Sequence, residues 1–219
     1  MSDFDADGFS GRLPLFPLPD VVLFPHALLP LHVFEPRYRA MTAEALEGER
    51  LIGMALLRPG WEPDYQGNPP IHEVVGVGRI VEGTRLPDGR YNLLLLGVAR
   101  ARILEEIRQA PFRTARAELL KDIPPQGAGL DRLHKLLAAF YVQQVREAAS
   151  TPIVPPPDDI PLGALCDLLL GTLPLPSETR MGFLRELDVA VRARRLVALL
   201  ERPERPSSSR PWPPAPSSN

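Results

Sequence analysis

The spacing of apolar residues changes once along the chain. From about Leu13 to Lys121 they come in short runs and alternations suited to strands; from about Leu130 to Glu201 they recur at helical spacing. Strands followed by helices predict an α+β protein, not an alternating α/β one. The opening runs "LPLFPL" and "ALLPLHVF" are rich in leucine but broken by Pro14, Pro17 and Pro30. Proline cannot donate to a sheet ladder, so both read as edge or barrel-rim strands. "EPRYRAMTAEALEGE" predicts a helix with Pro36 in its first position, Tyr38, Met41, Ala45 and Leu46 at helical spacing, and Gly48 as its stop. "RLIGMALLRP" reads as a buried strand, and Gly60–Pro70 as a loop. "IHEVVGVGRIVEGTRL" and "RYNLLLLGVARARILEEI" flank Pro87-Asp88-Gly89, a hairpin signal. Gly76, Gly78 and Gly97 interrupt these strands, as at bulges or the bends of a closing barrel. With "FRTARAELL" as the last strand, the region predicts about six strands and one helix in a small, partly closed barrel.

The second region opens with "GLDRLHKLLAAFYVQQVREA". Its stripe is Leu133, Leu136, Leu137, Phe140, Tyr141 and Val145, and Asp131 is the expected N-cap. After the proline-rich connector "STPIVPPPDDIP" come "LGALCDLLLGTL", "SETRMGFLREL" and "DVAVRARRLVALLERP", with stripes wide enough for a helical bundle. Ser150 and Ser177 read as caps. The expected organisation is a disordered arm over 1–12, the barrel over 13–121, the bundle over 122–203 and a disordered Pro/Ser tail over 204–219. "RPWPPAP" in that tail could be a ligand for a proline-recognising domain, but its composition favours a plain solvated tail.

Composition narrows the function. A net charge of −2 gives no bulk attraction to nucleic acid. One cysteine, Cys166, allows no internal disulfide, and its leucine-flanked position reads as a buried, inert thiol. No apolar run reaches the roughly 18 residues of a membrane span. The polar, acidic start lacks the form of a signal peptide, so the expected location is cytoplasmic. The lysines, Lys121 and Lys135, follow no Gly-x-x-x-x-Gly, which argues against a phosphate-cradling ATP site. Neither suits a Ser–Lys nucleophile pair, since one ends a strand and the other lies on a helix. The histidines are His26, His32, His72 and His134; His32 and Glu35 stand three apart but on no helix, so no metal or other cofactor is expected. In "VARARILE", Arg100 and Arg102 share a face by alternation; Arg116 lies near Glu118, and "RARRL" reads as an exposed helix face. Such mixed charge reads first as a solvated surface.

"LPLFPLPDVVLFPHALLPLHVFEPRYRAM" resembles the opening of the Lon protease N-terminal, substrate-binding domain. The resemblance continues through "HEVVGVGRIVEGTRLPDGRYNLLLLGVARARILE" and "LPLPSETRMGFLRELDVAVRARRLVALL", covering about Leu13 to Glu201. It implies a PUA-like, six-stranded pseudo-barrel with one helix, followed by a helical bundle. Nothing in the sequence matches that family's ATPase or Ser–Lys protease modules. The implied protein is therefore a stand-alone, bacterial-type, non-catalytic module, binding unfolded polypeptide or a protein partner and linked to quality control or proteolysis. Trp61 and Tyr65 in the loop, and Phe34 and Tyr38 near the barrel–helix junction, are the candidate contacts. For Phe34 and Tyr38 core packing is the favoured reading. The alternative function is RNA binding through a patch of Arg79, Arg100, Arg102 and Arg116.

Overall fold

Pro87, Asp88 and Gly89 do turn the chain between two long antiparallel strands, β4 (Val74–Arg85) and β5 (Tyr91–Arg108). Gly89 takes a positive φ of 81°, as a tight hairpin requires. These are the longest strands of a computed structural model that describes residues 8–64, 67–108, 111–147 and 159–201. The others are β1 (Arg12–Leu18), β2 (Leu28–Val33), β3 (Leu51–Leu56) and β6 (Arg113–Leu120). They form one six-stranded sheet in the order β2-β5-β4-β3-β1-β6, closed by a further β5–β6 pairing. Strand β5 makes the closure possible by sharing one side between two partners. Its first part, Tyr91–Leu96, pairs with β2, and its later part, Arg100–Arg108, pairs with β6. The ring is therefore β5-β4-β3-β1-β6, and β2 is a flap with one neighbour. The expectation of six strands in a barrel, with helix α1 (Pro36–Glu47) after the second, holds. Pro36 stands in that helix's first turn and Gly48 ends it, donating its N–H to the carbonyls of Glu44 and Ala45.

The two proline-broken runs differ. As an edge strand β2 fits its reading, but β1 lies inside the sheet order. It tolerates Pro14 and Pro17 because its partners divide it: Arg12–Pro14 pair with β6 and Leu15–Leu18 pair in parallel with β3. Each half is singly paired, so a missing N–H need not break a ladder. Between β1 and β2 the chain runs as an irregular strap across the sheet. Val22 and Phe24 enter the helical core while Leu23 enters the barrel core. The strap lies so close to β4 and β5 that a Cβ on Gly76 would collide with the Leu23 carbonyl, and one on Gly97 with the Phe24 carbonyl. These glycines serve close backbone approach as well as the bulge between Val77 and Gly78.

The helices are α2 (Leu130–Glu147), α3 (Leu162–Thr172), α4 (Ser177–Leu184) and α5 (Val189–Leu200). They share one core with Val22, Phe24, Leu56 and Val74 of the strand region. Two expected caps move. Gly129, not Asp131, precedes α2, and Asp131 lies in its first turn, where its charge suits the helix dipole. Pro176 precedes α4, so Ser177 is already helical and makes no capping bond. Asp188 caps α5, accepting from the N–H groups of Ala190 and Val191. Of the arm read over 1–12, residues 8–12 are described: Phe9 packs against the barrel and Arg12 opens β1. Ser150 and the tail over 204–219 lie outside the described residues. Among the described residues no helix is long and apolar enough to cross a membrane.

Candidate functional site

The alternation of β2 sorts its side chains into two sets. Leu29, Leu31 and Val33 face the barrel core, and Leu28, Pro30 and His32 face outwards. Leu28 is 61% exposed and Phe34, just beyond the strand, is 60% exposed. Across the ladder Leu28 stands opposite Leu96, Pro30 opposite Leu94, and His32 opposite Asn92. Leu94 and Leu96 are only half-buried and belong to no core cluster, whereas Leu93 and Leu95 are buried inside. The "LLLL" run thus does not simply fill the barrel; it alternates, and its even positions build an outer apolar face. Arg79 and Glu82 of β4 border that face, opposite Leu96 and Leu94.

A polar chain orders the far end of the face. Asp88 accepts from the Arg90 Nε at 2.6 Å. Arg90 Nη1 lies 3.3 Å from His32 Nε2, and His32 Nδ1 lies 2.7 Å from Asn92 Oδ1. A guanidinium can only donate, so Nε2 is the accepting nitrogen and Nδ1–H donates to Asn92. The Phe34 ring stacks on this imidazole, with centroids 6.4 Å apart. The Arg90 and Arg39 guanidiniums hold the Asp88 carboxyl below its ordinary range, Arg90 through direct hydrogen bonds.

The other expected contact residues are placed elsewhere. Tyr38 is buried, its ring 4.4 Å from that of Phe16, so it is part of the barrel core. The favoured core reading therefore holds for Tyr38 and fails for Phe34. Trp61 is partly buried and packs against the barrel cluster that contains Leu13 and Leu15, away from the β2 face. Tyr65 lies outside the described residues.

The arginines do not make a common patch. Arg102 pairs with Glu118 at 3.2 Å and Arg116 with Glu105 at 2.8 Å across β5 and β6. Arg79 is half-buried between β3 and β5. Arg100 is the clearest correction: it is buried, donating to Asp167 Oδ1 at 2.5 Å and to the Leu184 carbonyl at 3.0 Å. The "RARRL" stretch needs the same correction. Arg192 is fully buried and donates to Asp122 at 3.0 Å and to the Glu186 carbonyl at 2.7 Å, while Arg194 and Arg195 are exposed. Arg100, Asp122, Asp167 and Arg192 form one ionic cluster joining β5 and the exit of β6 to α3 and α5. Nothing in the alternation of "VARARILE" distinguishes Arg100 from Arg102, because the partner, Asp167, lies far along the chain.

No group of three or more His, Cys, Asp or Glu converges as a metal site among the described residues. His26 is half-buried in the strap, with burial holding its pKa below the ordinary imidazole value. His72 is buried, donating from Nε2 to Glu178 at 2.9 Å and accepting from Arg185 at Nδ1. Burial pushes the Cys166 thiol up to about 12. Its thiolate fraction at neutral pH is therefore negligible. Native protein should resist a thiol-specific reagent such as dithiobisnitrobenzoate at pH 8, and react with one equivalent once unfolded. Rapid labelling of folded protein would show that the α3 core opens readily.

Comparison with known proteins joins this geometry to a family. Residues 12–202 match the model of the ATP-dependent protease La (LON) substrate-binding domain. The chain is 29% identical over 199 residues to Lon protease 2 of Myxococcus xanthus, covering 87% of this chain and 23% of that protein. It is 32% identical over 204 residues to the Lon protease of Roseiflexus castenholzii, covering 87% and 24%. The chain thus spans about a quarter of the length of these relatives. A crystal structure of a Lon N-terminal domain protein from Xanthomonas campestris superimposes with a TM-score of 0.63 at 24% identity, covering 85% of this chain and 97% of that one. The N-terminal domain of Mycobacterium avium complex Lon protease gives 0.60 at 19% identity, covering 85% and 96%. On the extent of the family match, this chain belongs to the LON substrate-binding domain family.

Proposed function

We propose that this protein is a non-catalytic polypeptide-binding module whose contact surface is the outer face of β2 and β5, acting within protein quality control or proteolysis. The observation that carries the reading is the exposure of Leu28 and Phe34 beside half-buried Leu94 and Leu96, on a sheet face that joins none of the three core clusters. Contiguous exposed apolar surface marks contact sites, since leaving it in water is unfavourable by about 25 cal/mol per Å². The family's printed description as a substrate-binding domain supports the same reading. Nucleic-acid binding is less well supported: Arg102 and Arg116 are each paired with a glutamate and Arg100 is buried.

The test uses a permanently unfolded polypeptide, reduced and carboxymethylated α-lactalbumin, with binding read by fluorescence anisotropy. The double variant Leu28→Ser, Phe34→Ser should bind about tenfold more weakly, a loss of about 1.4 kcal/mol. Its melting temperature should be close to that of the unchanged protein, because both side chains are exposed. Equal affinity of the two proteins would remove this face from the function.

A further inference from the structure

The edge of β2 carries information that its apolar side chains do not. The Gly97 N–H donates to the Ala27 carbonyl, the Gly97 carbonyl accepts from the His26 N–H, and the Ala27 N–H turns back to the Phe24 carbonyl. With His26 at a positive φ of 67°, Gly97 opposes the His26–Ala27 step as a bulge, and the Ala27 carbonyl directed at β5 sets the phase of the β2–β5 ladder. Bonded and non-bonded pairs alternate along an antiparallel ladder. Leu29, Leu31 and Val33 therefore direct their backbone groups at β5, and Leu28, Pro30 and His32 direct theirs away from it. Pro30 thus sits where its missing N–H breaks no bond of the sheet. Among the described strands none covers the outward side of β2. The edge presents the N–H and carbonyl of Leu28, the carbonyl of Pro30, and the N–H and carbonyl of His32.

Resting on the binding function proposed above, we infer that β2 receives an extended segment of client polypeptide as an added strand, its apolar side chains on the Leu28–Leu94–Leu96 face and carboxylates towards the rim. Three observations select this occupant. The outward groups repeat at every second residue, the spacing at which an extended backbone offers its own groups. The side chains of Leu28, Pro30 and His32 share the outer face, so a client residue bonded to any of them places its side chain on that face too. Charge supplies the third. The rim carries Arg39, Arg79 and Arg90 against Glu82 and Asp88, a net positive border on a chain of net charge −2. A second copy of the chain fits poorly. Two β2 strands paired antiparallel about Pro30 would set two proline carbonyls facing each other with no donor between them.

The test uses fluorescein-labelled peptides of four Val-Thr repeats ending in two aspartates, with the carboxymethylated α-lactalbumin above as the reference client. Valines on the apolar face direct their N–H groups at β2; threonines direct theirs at solvent. N-methylation of the valine amides should weaken binding at least tenfold, and N-methylation of the threonine amides less than about twofold. Replacing the two aspartates by lysines should weaken binding several-fold at low salt, and the difference should shrink as salt screens the rim. Equal effects of the two methylation patterns, or no binding of the parent peptide while α-lactalbumin still binds, would overturn strand addition and leave the polypeptide-binding reading standing. Equal or tighter binding of the lysine peptide would overturn the carboxylate preference. Failure of α-lactalbumin itself to bind would instead remove the proposed function on which the inference rests.

Discussion

Asp167→Ala is expected to destabilise the protein by about 3–5 kcal/mol, the range for removing one member of a buried ion pair. The carboxylate is 2% exposed and lies between two guanidiniums, Arg100 Nη2 at 2.5 Å and Arg192 Nε at 3.5 Å. Burial pushes its pKa up, and Arg100 and Arg192 pull against that. Direct bonding to a permanently charged guanidinium favours the ionised carboxylate at neutral pH. Alanine would leave Arg100 with its bond to the Leu184 carbonyl and the longer 3.5 Å approach to Asp122. The burial of that cation would then be poorly compensated. Chemical denaturation should show the loss as a lower midpoint with little change in slope. The pair Arg100→Met, Asp167→Leu should cost less than the two single changes summed, since it removes the stranded charge with its partner. An Asp167→Ala cost below about 1 kcal/mol would mean that water already reaches the cluster.

The strand-to-helix change of period, the hairpin at Asp88-Gly89, the start of α1 at Pro36 and the buried thiol were all legible in the sequence, because each depends on residues near one another in the chain. What escaped depends on partners far away in sequence. Arg100 and Arg102 have the same spacing and chemistry, but only Arg100 meets Asp167, and only the packing of α3 on the barrel makes that meeting. Pro14 and Pro17 read as edge markers, yet β1 is internal because its partners divide it end to end. The outer apolar face of β2 and β5 was partly within reach. Alternation applied strictly to "LLLL" separates Leu94 and Leu96 from Leu93 and Leu95, and the same alternation on "LLPLHV" separates Leu28 from Leu29. Which set faces water is a property of the assembled sheet. Trp61, the aromatic that the proline-rich loop offers as a contact, packs instead against the barrel core.

The glycines beneath the strap set the second large expectation. Gly76→Ala should cost roughly 4 kcal/mol or more, at the exceptional end for a single methyl. The new Cβ would collide with the Leu23 carbonyl, a backbone atom with no rotamer through which to yield. Relief would require lifting the strap from the sheet. Lifting it would draw Leu23 from the barrel core and Val22 and Phe24 from the helical core together. It would also strain the Arg180 bond to the Val22 carbonyl, 2.9 Å, and the paired bonds at Gly97. Gly97→Ala should behave alike, because its Cβ would meet the Phe24 carbonyl in the same way. Gly182→Ala serves as the control. It lies within α4, where alanine is the better helix former, and the nearest atom to the added carbon is the flexible end of the Arg195 side chain at 3.6 Å, so no loss is expected. Urea denaturation of the three variants decides the matter. Equal midpoints for Gly76→Ala and Gly182→Ala would show that the strap does not press on the sheet. A large loss confined to Gly76→Ala and Gly97→Ala would identify the strap as the element that couples barrel and bundle into one cooperative fold.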